Sequence, residues 1–122
     1  MAVAIVLFAH GARDAEWAEP ARRVADAVQA RAPAARVNLA FLEFMAPTLA
    51  EAVEAAAADG ATEVRVVPLF LARGGHLKRD VPALVEAARA RHPGCRIELL
   101  PPVGEDRGVV DAMAAYAIEA GH

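Results

Sequence analysis

A chain of 122 residues with one cysteine and a formal charge of −3 supports a single domain, residues 1–122, able to bury roughly two-thirds of its unfolded surface. The acidic balance argues against a general nucleic-acid binder, which carries a basic surface, and no apolar run approaches the ~20 residues that cross a membrane. The lone Cys95 excludes an internal disulfide and fits a reducing compartment, so a cytoplasmic location is expected.

Residues 2–9 are apolar but lack a basic leader and a cleavage site, and they run straight into a polar turn, so they read as a buried strand. After the turn at residues 10–14, helical spacing over 16–31 predicts an apolar stripe of Trp17, Ala21, Val24, Ala25 and Val28. Pro20 falls in the first turn, where its missing N–H is tolerated, and Pro33 stops the helix. Residues 36–44 read as a second strand. Pro47 and Thr48 open a helix to about residue 58, closed by Asp59 and Gly60. The run 64–71 is rich in β-branched and large apolar residues and reads as a strand buried on both faces. A helix over 77–91, a strand over 95–100, a loop over 101–105 and a helix over 106–119 complete the chain. This βαβαβαβα pattern predicts an α/β fold: a four-stranded parallel sheet with helices on both faces, in the flavodoxin-like order 2-1-3-4.

In such a sheet every strand points its C-terminal end at one edge, where ligands bind. His10 follows the first strand, Glu43 ends the second, and His76 lies a few residues beyond the third. With strands about 4.8 Å apart, these side chains can meet. Two imidazoles and a carboxylate suit an open site for a divalent first-row metal and supply bases near neutral pH. Gly11, Gly74 and Gly75 leave room beside the histidines for a bulky ligand. Each member alone also has a plainer reading: His10 and His76 as turn or capping residues, Glu43 as a surface residue ahead of a helix. Their shared placement favours the functional one. His92 stands in a helix stop and His122 ends the sequence, and neither is assigned a role. Cys95 begins a strand at the opposite edge and reads as a small core residue.

Arg13, Arg73, Lys78 and Arg79 gather near the same edge, and Lys78 is the only lysine in the chain. Surface bases are usually solvated, but four beside one proposed pocket in an acidic protein point to an anionic ligand, and an arginine fork can grip a carboxylate at two atoms. Pairing with Asp14 or Asp80 would reduce the charge on offer.

Three motifs, Ala9-His-Gly-Ala-Arg-Asp14, Phe41-Leu-Glu-Phe-Met-Ala-Pro47 and Val66-Val-Pro-Leu-Phe-Leu-Ala-Arg-Gly-Gly-His-Leu-Lys-Arg-Asp-Val-Pro82, together resemble the small, single-domain class II sirohydrochlorin chelatases, which insert cobalt and, in relatives, iron or nickel. The resemblance covers nearly the whole chain. It implies a chelatase fold, sirohydrochlorin as partner, and His10, Glu43 and His76 as the metal-handling and catalytic set. The carboxylate-rich tetrapyrrole suits the rim of Arg13, Arg73, Lys78 and Arg79. Insertion requires two pyrrolic N–H protons to leave; His10 and His76 can hold metal, accept protons or do both, and Glu43 can complete the ligand set or relay protons. Ala12 stands where the family usually has serine, which removes a hydroxyl near the site but no ligand. Larger chelatases carry two such domains around one cleft, so a homodimer is expected of a single one. Cobalt is the favoured metal, with Fe²⁺ and Ni²⁺ fitting the same donors. No Walker-type loop is present, so no nucleotide is expected.

Rival readings fare worse. A histidine phosphatase wants arginine before its histidine, where this chain has Ala9; a receiver domain wants aspartate after the third strand; and a serine hydrolase is excluded because the chain contains no serine. A non-catalytic metal or tetrapyrrole carrier of the same fold stays open.

Overall fold

Strand alternation sets which side chains meet. In a computed structural model, whose described residues are 2–120, β1 (Val3–Ala9) lies between β2 (Arg36–Phe41) and β3 (Glu63–Pro68), and β4 (Arg96–Leu99) pairs with β3. Every pairing is parallel and the order is 2-1-3-4, as the sequence predicts. Ala4, Val6 and Phe8 stand in register with Val64, Val66 and Pro68, and all six are buried. The five other than Pro68 form one core with Leu49, Ala52, Val53 and Ala56 of α2 (Leu49–Ala58) and Val81, Val85 and Ala88 of α3 (Leu77–Arg91). α1 (Glu19–Arg31) packs against β1 and β2 from the other side, burying Ala21 beside Leu7 and Phe41.

That second face is only half covered. Past β1 it carries Arg65 of β3 and, in register with it, Glu98 of β4, both exposed. Arg65 Nε donates to Glu63 Oε2 at 2.7 Å along the same strand. β3 is thus buried on one face and largely open on the other, which corrects the expectation of a strand buried on both. Its apolar run hides the charged residue at position 65, which marks the exposed face by period-two alternation. The helix that would cover this half, α4 (Arg107–Glu119), stays off it: none of its residues is buried, and it packs chiefly on the short 3-10 turn Val103–Glu105 that precedes it.

Local signals place most element ends well. Thr48 caps α2 with a full capping box, its hydroxyl accepting from Glu51 N at 3.2 Å while Glu51 Oε1 accepts from Thr48 N at 2.8 Å. Gly60 closes the helix in the left-handed region, φ +91°. α3 spans the residues expected. The first helix differs, beginning as a 3-10 turn over Ala15–Ala18 before α1 proper. Trp17 and Val24, assigned to its apolar stripe, are exposed, Trp17 at 71%; the 3-10 turn packs fewer residues per advance and breaks the 3.6-residue phase. The second and third strands stop three residues short of their predicted ends, because their last apolar residues belong to the site loops. Half-buried Cys95 is bonded to the Ala61 carbonyl at 2.9 Å, in keeping with a packing role. His122 lies outside the described residues, and no described helix is long and apolar enough to cross a membrane.

Removing the hydroxyl in Thr48→Ala is expected to lower stability by about 1 kcal/mol, read by chemical denaturation. Thr48→Ser, which keeps the cap, should stay within a few tenths of wild type.

Candidate active site

The ends of β1 and β2 are joined beyond the strands themselves. Leu42 N donates to Ala9 O at 2.9 Å, and Glu43 N donates to His10 O at 3.1 Å. Phe41 N donates to Pro47 O at 2.8 Å, closing the loop that presents Glu43 and Phe44. Gly11 makes this approach possible. It sits at φ +84°, and a Cβ built on it would lie 2.0 Å from the Glu43 carbonyl oxygen. The space where a Gly11 side chain would stand is therefore filled by the neighbouring loop, so this glycine lets the ends of β1 and β2 touch.

One face of the exposed His10 ring is covered by Phe70, with ring centroids 4.3 Å apart and planes tilted by 42°. Phe70 is itself buried and stands 6.0 Å from the Phe8 ring. Leu69 N donates to Phe8 O at 2.8 Å, which carries the chain from β3 across the top of β1. His10 is thereby steadied by backbone on one side and an anchored aromatic ring on the other. Phe70 lies two residues past the end of β3, and the sequence signal for its role is its place at the strand's C-terminal end, next to the glycine loop.

The third motif is built differently. Gly74 and Gly75 are exposed with open space around both. His76 has helical backbone angles and serves as the N-cap residue of α3, yet its imidazole makes no capping bond. Leu77 N donates to Gly74 O at 2.9 Å and Asp80 N to His76 O at 2.8 Å, so backbone alone starts the helix. The imidazole is left free for other work. His10, Glu43 and His76 share one edge of the sheet, but no hydrogen bond or ring contact joins His76 to the other two. Among the described residues no three His, Cys, Asp or Glu side chains gather closely enough to hold a metal ion. The predicted convergence is thus a shared edge rather than a formed ligand set, because the Gly-Gly loop sets His76 apart from the joined β1 and β2 ends.

Of the basic rim, Lys78 and Arg79 are exposed at the start of α3 without ion pairs, and Arg13 touches only the Phe44 ring, its guanidinium carbon 4.9 Å from the centroid. Arg73 reaches Glu105 at 3.7 Å. That loose, half-exposed pair draws part of the Arg73 charge away from any ligand, a partner the sequence reading missed because it lies in a distant loop. Asp14 caps the following 3-10 turn by accepting from Glu16 N at 2.9 Å, and neither it nor Asp80 neutralises the rim. Ala12, in place of the usual serine, lines a depression of about 260 Å³ with Arg13, Phe44 and Met45.

The C-terminal edge of the parallel sheet thus carries two imidazoles without hydrogen bonds, an exposed carboxylate and a group of exposed basic side chains. A sequence model of the CbiX family matches residues 4–120, and the chain belongs to that family. It is 33% identical over 113 residues to a sirohydrochlorin ferrochelatase of Bacillus subtilis, covering 93% of this chain and 43% of that one. It is 31% identical over 109 residues to a sirohydrochlorin cobaltochelatase of Sulfurisphaera tokodaii, covering 89% of this chain and 86% of that one. Among solved structures, a CbiX protein of Marinobacter aquaeolei VT8 superposes with a TM-score of 0.85 at 36% identity, over 96% of this chain and 95% of that one. The chain spans less than half the length of the Bacillus ferrochelatase.

Substituting Gly11→Ala puts a Cβ against the Glu43 carbonyl and a side chain on a left-handed backbone. It is expected to cost about 2 kcal/mol or more in urea unfolding, whereas Gly75→Ala, with open space around it, should be close to neutral.

Proposed function

We propose that this protein is a sirohydrochlorin chelatase that inserts a divalent metal, Co²⁺ by preference, into the tetrapyrrole without a nucleotide. The observation that carries the reading is the edge shared by His10, Glu43 and His76, with neither imidazole committed to a hydrogen bond or ion pair. Similarity to relatives named for cobalt and for iron insertion supports the same class of reaction. In metal insertion M²⁺ replaces two pyrrolic protons, so the site must deliver a cation and take up two protons. Neutral imidazoles do either, donating a lone pair to the metal or accepting N–H protons from the ring. The Glu43 carboxylate, exposed and unpaired, offsets the cation's charge or passes protons outward. Arg13, Lys78 and Arg79, joined by Arg73 when Glu105 lets go, are placed to hold the ring's carboxylates. Gly74 and Gly75 leave the approach to His76 unobstructed.

We infer further that two copies assemble. α4 exposes Val110, Met113 and Tyr116, an apolar strip that the charged half-face bearing Arg65 and Glu98 cannot cover. The greater length of the Bacillus relative, more than twice that of the matched region, fits a reading in which a second copy supplies what a second half would.

An anaerobic absorbance assay with sirohydrochlorin and Co²⁺, Fe²⁺ or Ni²⁺ in turn tests the activity. Wild type should turn over many times, fastest with Co²⁺, and His10→Ala and His76→Ala should each lose about 10²-fold or more. Binding of the tetrapyrrole with no insertion above the protein-free rate would make the protein a carrier instead.

Sedimentation tests the assembly. Wild type is expected as a dimer, and Met113→Glu with Tyr116→Glu should give a folded monomer. A wild-type monomer at micromolar concentration would overturn the pairing.

A further inference from the structure

Phe44 is held where an isolated side chain gains little. It is the only non-glycine among the described residues with positive φ, at +67°, a conformation that costs a phenylalanine energy. The residue is 58% exposed, so burial within the chain does not repay that cost. The loop leaves it no easy escape, since Phe41 is tied to Pro47, Leu42 to Ala9 and Glu43 to His10 by backbone hydrogen bonds. The Arg13 guanidinium stacks over the ring at 4.9 Å and makes no ion pair. Beside the pair lies the depression that Ala12 and Met45 also line, and Phe44 directly follows Glu43.

We propose that Phe44 and Arg13 form a wall on which one face of the tetrapyrrole lies. The inference rests on the chelatase reading and names two residues that position the ring. An exposed aromatic face offers a flat conjugated macrocycle a stacking partner. A guanidinium lying against that aromatic keeps its N–H edge free to bond a peripheral carboxylate while the ring polarises toward it. The wall adjoins Glu43, whose backbone is bonded to His10, so a ring lying on it is carried toward the proposed proton and metal acceptors. The strained backbone has a reason on this reading: a left-handed residue turns the side chain out of the loop and toward the site, which an extended continuation of β2 would not do.

The test is titration of metal-free sirohydrochlorin into the protein, followed by absorbance, together with steady-state insertion of Co²⁺. Phe44→Ala is expected to weaken binding about tenfold and to raise KM by a similar factor, with kcat within about twofold of wild type. Phe44→Leu, apolar but not aromatic, should resemble Phe44→Ala, and Phe44→Tyr should restore affinity. Losses in the Phe44→Ala/Arg13→Ala double variant should fall short of the product of the single losses, as for residues acting together. If wild type binds and turns over while Phe44→Ala does both equally well, the wall is wrong and the chelatase reading stands. Full affinity in Phe44→Leu also overturns it, as does a Phe44→Ala protein that sediments as a monomer, which would make Phe44 a contact between copies. A wild-type protein that neither binds sirohydrochlorin nor inserts metal removes the chelatase reading and the wall with it.

Discussion

The contact between Gly11 and the Glu43 carbonyl decides how the rest of the edge is arranged. Parallel strands ordinarily diverge into separate loops once the ladder ends, and side chains on those loops take up their own positions. Here the pairing of β1 and β2 continues for two further hydrogen bonds, Leu42 to Ala9 and Glu43 to His10, and the backbones then close to a distance that no Cβ would allow. Each such bond contributes a net ~1 kcal/mol, comparable with the cost of one left-handed phenylalanine. The loop can therefore keep Phe44 in its conformation only while that extended pairing persists. His10, Glu43 and Phe44 behave as one unit whose geometry is set by backbone.

His76 belongs to a second unit of different character. Its loop has two exposed glycines and no packed neighbours around them, and its side chain is bound to nothing. On the proposed chelatase reading, in which the metal is cargo, this separation of His76 from the other two residues has a physical use. Three donors fixed around a cation would stabilise the bound metal and raise the cost of surrendering it to the ring, since only interactions stronger in the transition state than before it speed the chemistry. Donors split between a fixed half and a yielding half can hold the cation weakly and let it go. On the same reading, the partial claim of Glu105 on Arg73 is a half-exposed pair at 3.7 Å, worth little and open to exchange for a substrate carboxylate.

Much of this was legible in the sequence. Alternating strand and helix patterns with short connections allow few topologies, and the observed strand order follows from crossover handedness. Element ends marked by local chemistry, such as Thr48 and Glu51, or Gly60, also came out well. The placement of His10, Glu43 and His76 at one edge follows from strand polarity alone. What the sequence could not carry was anything set by distant backbone. The tie between Arg73 and Glu105 joins separate loops, and the cover that Phe70 gives His10 comes from the loop after β3. At Gly11 a glycine signals a close approach, but that the Glu43 carbonyl is what approaches is decided by the fold. Phe44 passed as a strand residue because apolar character suits a strand, and its left-handed backbone leaves no mark on composition.

The charged half of the sheet bears on the last helix in the same way. In a doubly wound fold a helix after β4 would return to the face of α1 and bury apolar residues there. Arg65 and Glu98 occupy that surface, and covering an exposed charge without a new partner costs several kcal/mol, more than an alanine-rich helix face recovers. The polar pattern of β3 and β4 thus acts against α4 lying on its own sheet, and the apolar residues of α4 are left facing outward. A helix of 13 residues with none of them buried is marginal in water and gains from a surface elsewhere. On the proposed reading that surface belongs to a second copy, and the substitution of charge for apolar residues on two short strands is what directs the chain toward assembly.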